Sequence, residues 1–269
     1  MNNTVLITGA STGMGEAATF EYTARGWNVV ATMRDTAKAN PAFATLDNVL
    51  VTRLDVTDTE SVERAVAEAI ERFGAIDAVL NNAGYGQLGA VEEVSTDQVR
   101  DQFETNVIGV IRVVQAVLPH MRERRSGHIL NVGSMGGHVS LPTMAVYCAS
   151  KSALQNLTEG LAKELAPLGI DVTLVEPAGY STNFGANYRR PAGPLDAYDP
   201  AYDAMRDFSG QAVRGDLAKS MAAVADITGA DAPPLHLAVN TYGLKMVRER
   251  FADLMDEYAR WEHVTSKTD

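Results

Sequence analysis

A regular alternation of short apolar runs and longer amphipathic segments is the feature that most constrains the fold of this chain. Seven runs rich in β-branched residues predict strands, at residues 4–8, 27–32, 49–54, 78–80, 128–132, 171–175 and 235–239. Segments with helical spacing separate them, at residues 13–24, 59–73, 95–124, 147–165 and 216–228, and a charged helix follows to about residue 261. Strands that alternate with helices form a parallel sheet covered on both faces. We therefore expect one doubly wound α/β domain over residues 1–269, with a mostly parallel seven-stranded sheet.

Composition and charge narrow the class of protein. The chain has 269 residues, of which 46% are hydrophobic, so it can bury the core of a single α/β domain. Its formal net charge of −11 argues against binding to nucleic acids or to anionic membranes. No apolar run approaches the roughly 18 residues of a membrane span, and the strand at residue 4 leaves no room for a signal peptide. We expect a cytoplasmic protein with no nucleic-acid or membrane partner.

Cysteine and histidine give no sign of a disulfide or a metal site. Cys148 is the only cysteine, so an internal disulfide is excluded. Its thiol is either packed in the interior or reactive beside Tyr147. The five histidines show no spacing typical of metal ligands. We therefore predict no metal site.

A glycine-rich turn follows the first predicted strand. Residues 8–15 read Thr-Gly-Ala-Ser-Thr-Gly-Met-Gly and lead directly into the first predicted helix. Glycines at such a turn let the backbone approach a pyrophosphate, whose charge the N-terminus of a helix stabilises. The segment predicts a dinucleotide-binding turn, and the alternative is a structural turn without a ligand.

A tyrosine and a lysine lie four residues apart in the helix predicted from residue 147. This spacing places Tyr147 and Lys151 on one helix face, one turn apart. A phenol with a pKa of about 10 transfers protons poorly at neutral pH, and a neighbouring ammonium group lowers that pKa. Ser134 follows the fifth strand, at the edge where ligands bind in open α/β sheets. The three residues predict an acid–base site; a packed aromatic, a solvated lysine and a turn serine are the alternatives.

Together these motifs resemble the classical short-chain dehydrogenase/reductase family. The glycine turn matches the family's Thr-Gly-x3-Gly-x-Gly, residues 81–84 match its Asn-Asn-Ala-Gly, and residues 147–151 match its Tyr-x3-Lys. Asn106 matches its helix asparagine and Ser134 its strand-end serine, in the family's order. The similarity is closest to the 17β-hydroxysteroid and retinol dehydrogenase-like subgroup. The resemblance implies a Rossmann-type fold and NAD(P)-dependent hydride transfer between a hydrophobic, secondary alcohol and a carbonyl.

The resemblance also implies a role for each catalytic residue. Tyr147 would be the general acid/base, and Ser134 would hold the substrate oxygen. Lys151 would lower the pKa of Tyr147 and bind the nicotinamide ribose. Asn106 would hold a water that connects Lys151 to solvent; its alternative is a helix-interior asparagine whose amide is satisfied by backbone.

Cofactor contacts are implied at a larger set of positions. They are Gly9, Ser11, Thr12, Gly13, Met14, Gly15, Arg34, Asp55, Val56, Asn82, Ala83, Gly84, Tyr147, Lys151, Pro177, Gly179 and Thr182. An acid after the second strand indicates NAD, whereas an arginine accommodates the 2′-phosphate of NADP. Arg34 therefore favours NADP over NAD, unless it is a solvated surface residue, and Asp35 is expected to start a turn or to pair with Arg34. Asp55 would contact the adenine, or alternatively cap the helix that begins near Thr59.

Residues 178–228 occupy the position of the family's substrate lid. The part up to residue 215 reads as irregular and carries a set of large side chains: Phe184, Tyr188, Tyr198, Tyr202, Met205 and Phe208. These side chains either suit a hydrophobic small-molecule substrate or attach the lid to the domain. Arg189 and Arg190 either meet an anionic group or form an exposed pair. The family has Pro-Gly after the sixth strand, whereas this chain has Pro177-Ala178-Gly179, which leaves the backbone path near Ala178 open.

The predicted helix that ends near residue 124 bears on assembly, because it is apolar around much of its circumference. Its apolar residues are Val107, Ile108, Val110, Ile111, Val113, Val114 and Val117. A partner subunit on one side would give a homodimer or homotetramer, and burial within one subunit is the alternative. Two functions other than catalysis stay open: a nucleotide-sensing regulator without turnover, against which the intact Ser134, Tyr147 and Lys151 weigh, and an oligomeric scaffold.

Overall fold

One seven-stranded sheet with helices on both faces forms the protein, which a computed structural model describes for residues 2–181, 184, 185 and 187–268. The strands are β1 (Thr4–Thr8), β2 (Asn28–Met33), β3 (Val49–Arg53), β4 (Ala78–Asn81), β5 (Gly127–Val132), β6 (Ile170–Glu176) and β7 (His236–Ala238). The α-helices are α1 (Gly13–Ala24), α2 (Thr59–Phe73), α3 (Thr96–Phe103), α4 (Gly109–Arg124), α5 (Ala145–Leu165), α6 (Asp199–Gln211), α7 (Leu217–Ile227) and α8 (Thr241–Thr265).

The strand order, β3-β2-β1-β4-β5-β6-β7, confirms the doubly wound fold. Every neighbouring pair is parallel, so the sheet is entirely rather than mostly parallel. Alternate strand residues enter two separate cores, as the strand period of two requires. Leu6 packs on the face covered by α2, α4 and α5, whereas Val5 and Ile7 pack on the face covered by α1 and α7.

The chain reverses its direction of winding between β1 and β4. It moves outward from β1 to β3, then crosses to β4 and continues to β7. In open parallel sheets, ligands bind outside the carboxyl ends of the strands at such a switch point. The segments after β1, β2, β3, β4, β5 and β6 all emerge at this edge, and they carry most of the site residues that the sequence predicts.

Two segments differ from the sequence prediction in their helical structure. The single helix predicted over residues 95–124 is interrupted by a π-helical turn, Glu104–Ile108, which contains Asn106. Helical periodicity does not reveal such a turn, because it spans only five residues within a longer helical segment. The segment predicted as irregular up to residue 215 contains α6, on which Tyr202, Met205 and Phe208 have helical spacing.

Most of the apolar side of α4 is core rather than surface. Val110, Val113, Val114 and Val117 are buried against the sheet, while Ile108 is exposed. Burial within one subunit therefore accounts for most of this helix, and an oligomer remains a prediction. Within the described ranges, every helix is too short or too polar to cross a membrane.

The glycine turn after β1 depends on the lack of side chains at two positions. Gly9 has φ +70°, a left-handed conformation that favours glycine. A Cβ atom on Gly15 would overlap the carbonyl oxygen of Gly9 and would lie 2.6 Å from Nδ2 of Asn82. The first turn of α1 therefore packs directly on the segment that follows β4.

We expect Gly15→Ala to lower the free energy of unfolding by about 1–3 kcal/mol, because the added methyl group overpacks a rigid turn. Gly160→Ala is the matched control: Gly160 lies inside α5, and a Cβ atom there would have no neighbour within 4 Å. That change should raise stability by about 0.5–1 kcal/mol through its helix propensity. Urea unfolding measures the change in the free energy of unfolding for each substitution. Equal changes in the two variants would contradict the packing argument.

Candidate active site

Ser134 and Tyr147 come together at the carboxyl edge of β5. Ser134 opens a short 3₁₀ turn, Met135–Gly137, and its Oγ accepts a hydrogen bond from the N–H of Gly136 at 2.9 Å. Tyr147 lies buried in the first turn of α5, and the nearby Ser134 side chain lowers the pKa of its phenol. A Cβ on Gly136 would lie 3.2 Å from Oγ of Ser134 and 3.4 Å from the Tyr147 ring, so this glycine allows the two groups to approach.

The ionisation of Tyr147 is controlled mainly by burial. Removal of the phenol from water raises its pKa well above the ordinary value, while the neighbouring Ser134 side chain lowers it. The pKa-lowering role that the family resemblance gives to Lys151 remains a prediction. Tyr147 is therefore a neutral proton donor at neutral pH in this state of the site.

Lys151 is buried rather than solvated, which rules out its surface alternative. Its Nζ donates a hydrogen bond to the carbonyl oxygen of Val132 at 2.7 Å. Burial lowers the pKa of Lys151 to about 8, because the charged form is poorly solvated. A Cβ on Gly84 would lie 3.9 Å from Nζ, so the ammonium group lies beside the segment that follows β4.

Asn106 attaches that same segment to the rest of the site. Its Oδ1 accepts from the N–H of Tyr85 at 3.2 Å, and its Nδ2 donates to the Tyr85 carbonyl at 3.1 Å and to Oγ of Ser150 at 3.2 Å. Protein groups thus use both N–H groups of the amide, in keeping with the alternative of an asparagine satisfied within the protein. The water expected beside Asn106 remains a prediction.

Asn82 closes the glycine turn from the other side of the switch point. Its Nδ2 donates to the carbonyl oxygens of Thr8 at 2.8 Å and Gly9 at 3.1 Å. Oγ1 of Thr8 accepts in return from the N–H groups of Asn82 at 2.9 Å and Ala83 at 3.0 Å. Asn81 instead donates to Oδ1 of Asn131 at 2.9 Å, within the sheet.

The glycine turn fits the pyrophosphate of a dinucleotide. Thr12 precedes α1 in an extended conformation, and its side chain makes no capping hydrogen bond within the described structure. The first backbone N–H groups of α1 therefore lack the side-chain acceptor that commonly caps the N-terminus of a helix. They lie at the positive end of the helix dipole. Ser11, Gly13 and Met14 lie in the same turn, at the carboxyl end of β1.

The two charged residues after β2, Arg34 and Asp35, do not pair with each other in the structure. Asp35 starts a 3₁₀ turn, where its Oδ1 accepts from the N–H of Ala37 at 3.1 Å, and its nearest cation is Lys38 at 3.9 Å. Arg34 is exposed and pairs with no carboxylate among the residues that the structure describes. Its guanidinium is therefore available to a ligand at the end of β2.

The acid after β3 does not cap α2. Asp58 caps that helix, since its Oδ1 accepts from the N–H of Ser61 at 3.2 Å. Asp55 accepts from the backbone and hydroxyl groups of Thr57 at 3.0 and 2.8 Å, and Val56 is buried next to it. The capping alternative for Asp55 is wrong, and its contact with an adenine remains a prediction.

The segment after β6 shows how the backbone accommodates Ala178 in place of the family's glycine. Pro177 accepts from the N–H of Met135 at 3.0 Å, and Gly179 takes φ +55° and accepts from Gly215 at 2.8 Å. Ala178 is buried, and a Cβ on Gly243 would lie 2.8 Å from its methyl group. Gly243 thus provides the space for the extra methyl. Thr182 lies outside the described residues.

Side chains of the predicted lid gather around Tyr147. Tyr147 belongs to a buried apolar cluster with Leu88, Met144, Cys148 and Met205, against which Leu141, Tyr188, Tyr202 and Phe208 pack. The ring of Phe184 lies 5.8 Å from that of Tyr147. Tyr198 is different, because its hydroxyl donates to Glu92 at 2.6 Å outside the cluster.

Other charged and reactive side chains near the lid have structural partners. Arg189 pairs with Asp101 at 2.9 Å and stacks on Tyr85 at 4.3 Å, which attaches the lid to the domain. Arg190 is exposed. Cys148 is buried, and burial raises the pKa of its thiol, so it is a packed residue rather than a reactive one.

Sequence reasoning missed a cluster of His138, Glu176 and His236. Their ligand-type atoms lie within 4.8 Å of one another, although the residues are far apart in the chain. Glu176 is buried, and its Oε1 hydrogen-bonds with Nε2 of His138 and with Nδ1 of His236, the latter at 3.3 Å. The adjacency of β5, β6 and β7 creates this cluster, and sequence spacing does not show it. The hydrogen bonds satisfy the buried carboxylate.

We expect burial of Lys151 to make stability depend on pH. The folded pKa of about 8 lies below the ordinary 10.5, so the unfolded chain binds more protons between these values. The destabilisation is therefore complete below pH 8 and disappears as the pH rises to 10.5. Relative to Lys151→Met, the wild type should gain on the order of 3 kcal/mol across this window. Chemical denaturation at about pH 7.5 and about pH 10 measures it, and parallel pH profiles would contradict the argument.

Comparisons with known proteins agree with this geometry. A profile of the short chain dehydrogenase family matches residues 3–192. The chain is 34% identical over 265 residues to the oxidoreductase BOA17 of Botryotinia fuckeliana (strain B05.10), with 96% of each chain covered. It is 40% identical over 190 residues to 17-beta-hydroxysteroid dehydrogenase type 1 of Homo sapiens, which spans 67% of this chain and 57% of that protein.

Solved structures give the same result. A short-chain dehydrogenase from Streptomyces avermitilis superposes with a TM-score of 0.93 at 36% identity, over 100% of this chain and 98% of that one. A relative from Burkholderia phymatum in complex with NAD gives 0.83 at 27% identity, over 95% of each chain. ElxO with NADP bound gives 0.77 at 26% identity, over 91% and 100%. The chain therefore belongs to the classical short-chain dehydrogenase/reductase family, and this membership makes it an oxidoreductase.

Proposed function

We propose that this protein is an NADP-preferring oxidoreductase that interconverts a hydrophobic secondary alcohol and a carbonyl, with Tyr147 as the general acid/base. One observation carries the proposal. The phenol of Tyr147 is buried, lies beside the Ser134 side chain and is surrounded by apolar side chains at the carboxyl edge of the sheet. A buried proton donor at the ligand-binding edge is what reduction of a carbonyl requires.

The chain's own residues account for the transfer of the proton to and from the substrate oxygen. A nicotinamide cofactor, when bound, supplies or accepts the hydride. Ser134 and Tyr147 both present hydroxyl groups that can donate to a carbonyl oxygen, and this orients the substrate and polarises its carbonyl. Tyr147 gives its proton to that oxygen during reduction and takes it back during alcohol oxidation. The Ser134 side chain, which lowers the Tyr147 pKa, favours the phenolate that oxidation needs.

The residues that would hold the cofactor lie along the switch point. The N-terminus of α1 would bind the pyrophosphate, Asp55 the adenine, and Lys151 the nicotinamide ribose. Arg34 supports NADP, because it is exposed at the end of β2 and carries a charge that matches a 2′-phosphate.

The apolar cluster around Tyr147 supports a hydrophobic substrate. Tyr188, Tyr202, Met205 and Phe208 come from the segment that we assign as the lid, residues 178–228, and they pack on the catalytic side of α5. A substrate whose body is apolar and whose single oxygen reaches Ser134 and Tyr147 would fit this chemistry. The similarity to a relative named for a hydroxysteroid agrees with this class.

We expect Tyr147→Phe to lower kcat by about 10²–10⁴-fold, since it removes the proton donor. Affinity for NADP should change little, because the ring is retained. Reduction of apolar ketones, followed by loss of NADPH absorbance, measures turnover, and fluorescence titration measures binding. Tyr198→Phe is the matched control, because Tyr198 hydrogen-bonds with Glu92 outside the cluster. If wild type binds NADP but reduces no carbonyl, the sensor function replaces this one; full activity in Tyr147→Phe would exclude the assignment.

We expect Arg34→Ala to weaken NADP binding by about 10–100-fold, the loss typical of a hydrogen-bonded charge, while NAD binding stays within about threefold. Isothermal titration with both cofactors measures the difference. Arg64→Ala on α2 serves as the control, because its exposed guanidinium pairs with Glu60. Tighter binding of NAD than of NADP by the wild type would overturn the preference.

A further inference from the structure

Helix α8 carries an apolar surface that its own subunit covers only in part: Val247 and Leu254 are half-buried, and Phe251 contacts His138. Gly243 is its only buried residue within the described helix. Six of the twelve large hydrophobic side chains that the described chain exposes lie on this helix: Leu244, Phe251, Met255, Tyr258, Trp261 and Val264. Tyr258 is 63% exposed and Trp261 is 59% exposed. A concentration of this kind on a 25-residue helix marks an interaction surface.

The apolar residues of α8 follow a heptad pattern. Leu244, Val247, Phe251, Leu254, Tyr258 and Trp261 are spaced alternately by three and four residues. This is the spacing of the two inward positions of a coiled coil, at which side chains of one helix enter gaps in another. The pattern runs through most of α8, which extends for about 37 Å at roughly 1.5 Å per residue. The surface therefore fits another long helix.

The charges of α8 select the direction of that second helix. Residues 241–252 contain three basic side chains and one acidic, while residues 253–265 contain one basic and four acidic. Lys245 pairs with Glu249 at 3.6 Å; Arg248, Arg250 and Arg260 have no carboxylate partner within the described chain. A copy of α8 running parallel would place like charges together, and an antiparallel copy would place opposite charges together.

The same charge distribution is unfavourable for α8 alone. Acidic side chains stabilise the N-terminal end of a helix and basic ones the C-terminal end, because of the helix dipole. In α8 the basic cluster lies in the N-terminal half and the acidic cluster in the C-terminal half. An antiparallel neighbour offsets this penalty, since each basic half then faces an acidic half and the two dipoles oppose each other.

We propose that α8 is a self-association surface, on which a second copy of this chain docks its own α8 antiparallel about a twofold axis. One register fills all six heptad positions. In it, Leu244 faces Trp261 of the partner subunit, Val247 faces Tyr258 of the partner subunit, and Phe251 faces Leu254 of the partner subunit.

The same register places Arg250 opposite Glu257 of the partner subunit. In an antiparallel coiled coil, each heptad position that flanks the apolar seam faces the equivalent position of the partner helix. Arg250 and Glu257 are seven residues apart, so they belong to equivalent flanking positions. The twofold axis repeats this pair, and the assembly therefore gains two interhelical ion pairs that α8 cannot form alone.

Sedimentation equilibrium of the full chain tests the surface. We expect Tyr258→Glu and Trp261→Glu to halve the mass of the assembly relative to wild type, because each places a carboxylate in the seam. Both side chains are more than half exposed in one subunit, so the fold should persist, and thermal unfolding checks this. Val91→Glu is the matched control, since Val91 is 65% exposed and is not part of α8, and it should leave the mass unchanged.

A charge exchange tests the direction and the register. Arg250→Glu and Glu257→Arg should each weaken association by about tenfold or more, because each creates two pairs of like charge. The double variant restores opposite charges only in the antiparallel register, and it should recover wild-type association. Failure of the double variant to recover would refute the proposed register.

Three results would overturn the proposal. A wild type that stays monomeric at tens of micromolar would refute self-association. An assembly of unchanged mass in Trp261→Glu would assign the contact to another surface such as α4. Binding of monomeric wild type to phosphatidylcholine vesicles, lost in Trp261→Glu, would assign α8 to lipid instead.

Discussion

The hydrogen bonds between Thr8 and the segment after β4 hold the candidate site together. They join β1 to β4 at the point where the winding reverses, which is where ligands bind in open parallel sheets. Asn82 returns two hydrogen bonds to the glycine turn, and Gly84, two residues later, lies beside Asn106 and Lys151. One short segment, residues 82–84, thus connects the glycine turn to the surroundings of Asn106 and Lys151.

Burial acts in opposite directions on the pKa values of Tyr147 and Lys151, and in both cases it favours the neutral form. Ser134 is the described group that offsets the effect of burial on the pKa of the phenol.

The sequence predicts the sheet and the positions of Ser134, Tyr147 and Lys151, because each depends on local periodicity or on spacing within one motif. The sequence does not predict features that depend on contacts between distant segments. Asn82 reaches Thr8 across 74 residues, and His138 reaches Glu176 across 38, so neither contact has a local pattern. Asp58, rather than Asp55, caps α2, and only the helix boundary decides between them. The π-helical turn at Asn106 is not predicted for another reason, since it spans only five residues within a longer helical segment.

Helix α8 begins where the segment after β6 passes the site, which connects the apolar surface to the catalytic edge. Asn240 caps α8 by accepting from the N–H of Gly243 at 2.7 Å, and its amide donates to the carbonyl of Ala178. Further along, the ring of Phe251 lies 5.4 Å from His138, which ends the turn opened by Ser134. The glycine at 243 and the alanine at 178 therefore form a matched pair: the departure from the family's Pro-Gly is accommodated by the helix that would carry the subunit contact. A neighbour on α8 would consequently restrain both segments that flank the reacting groups.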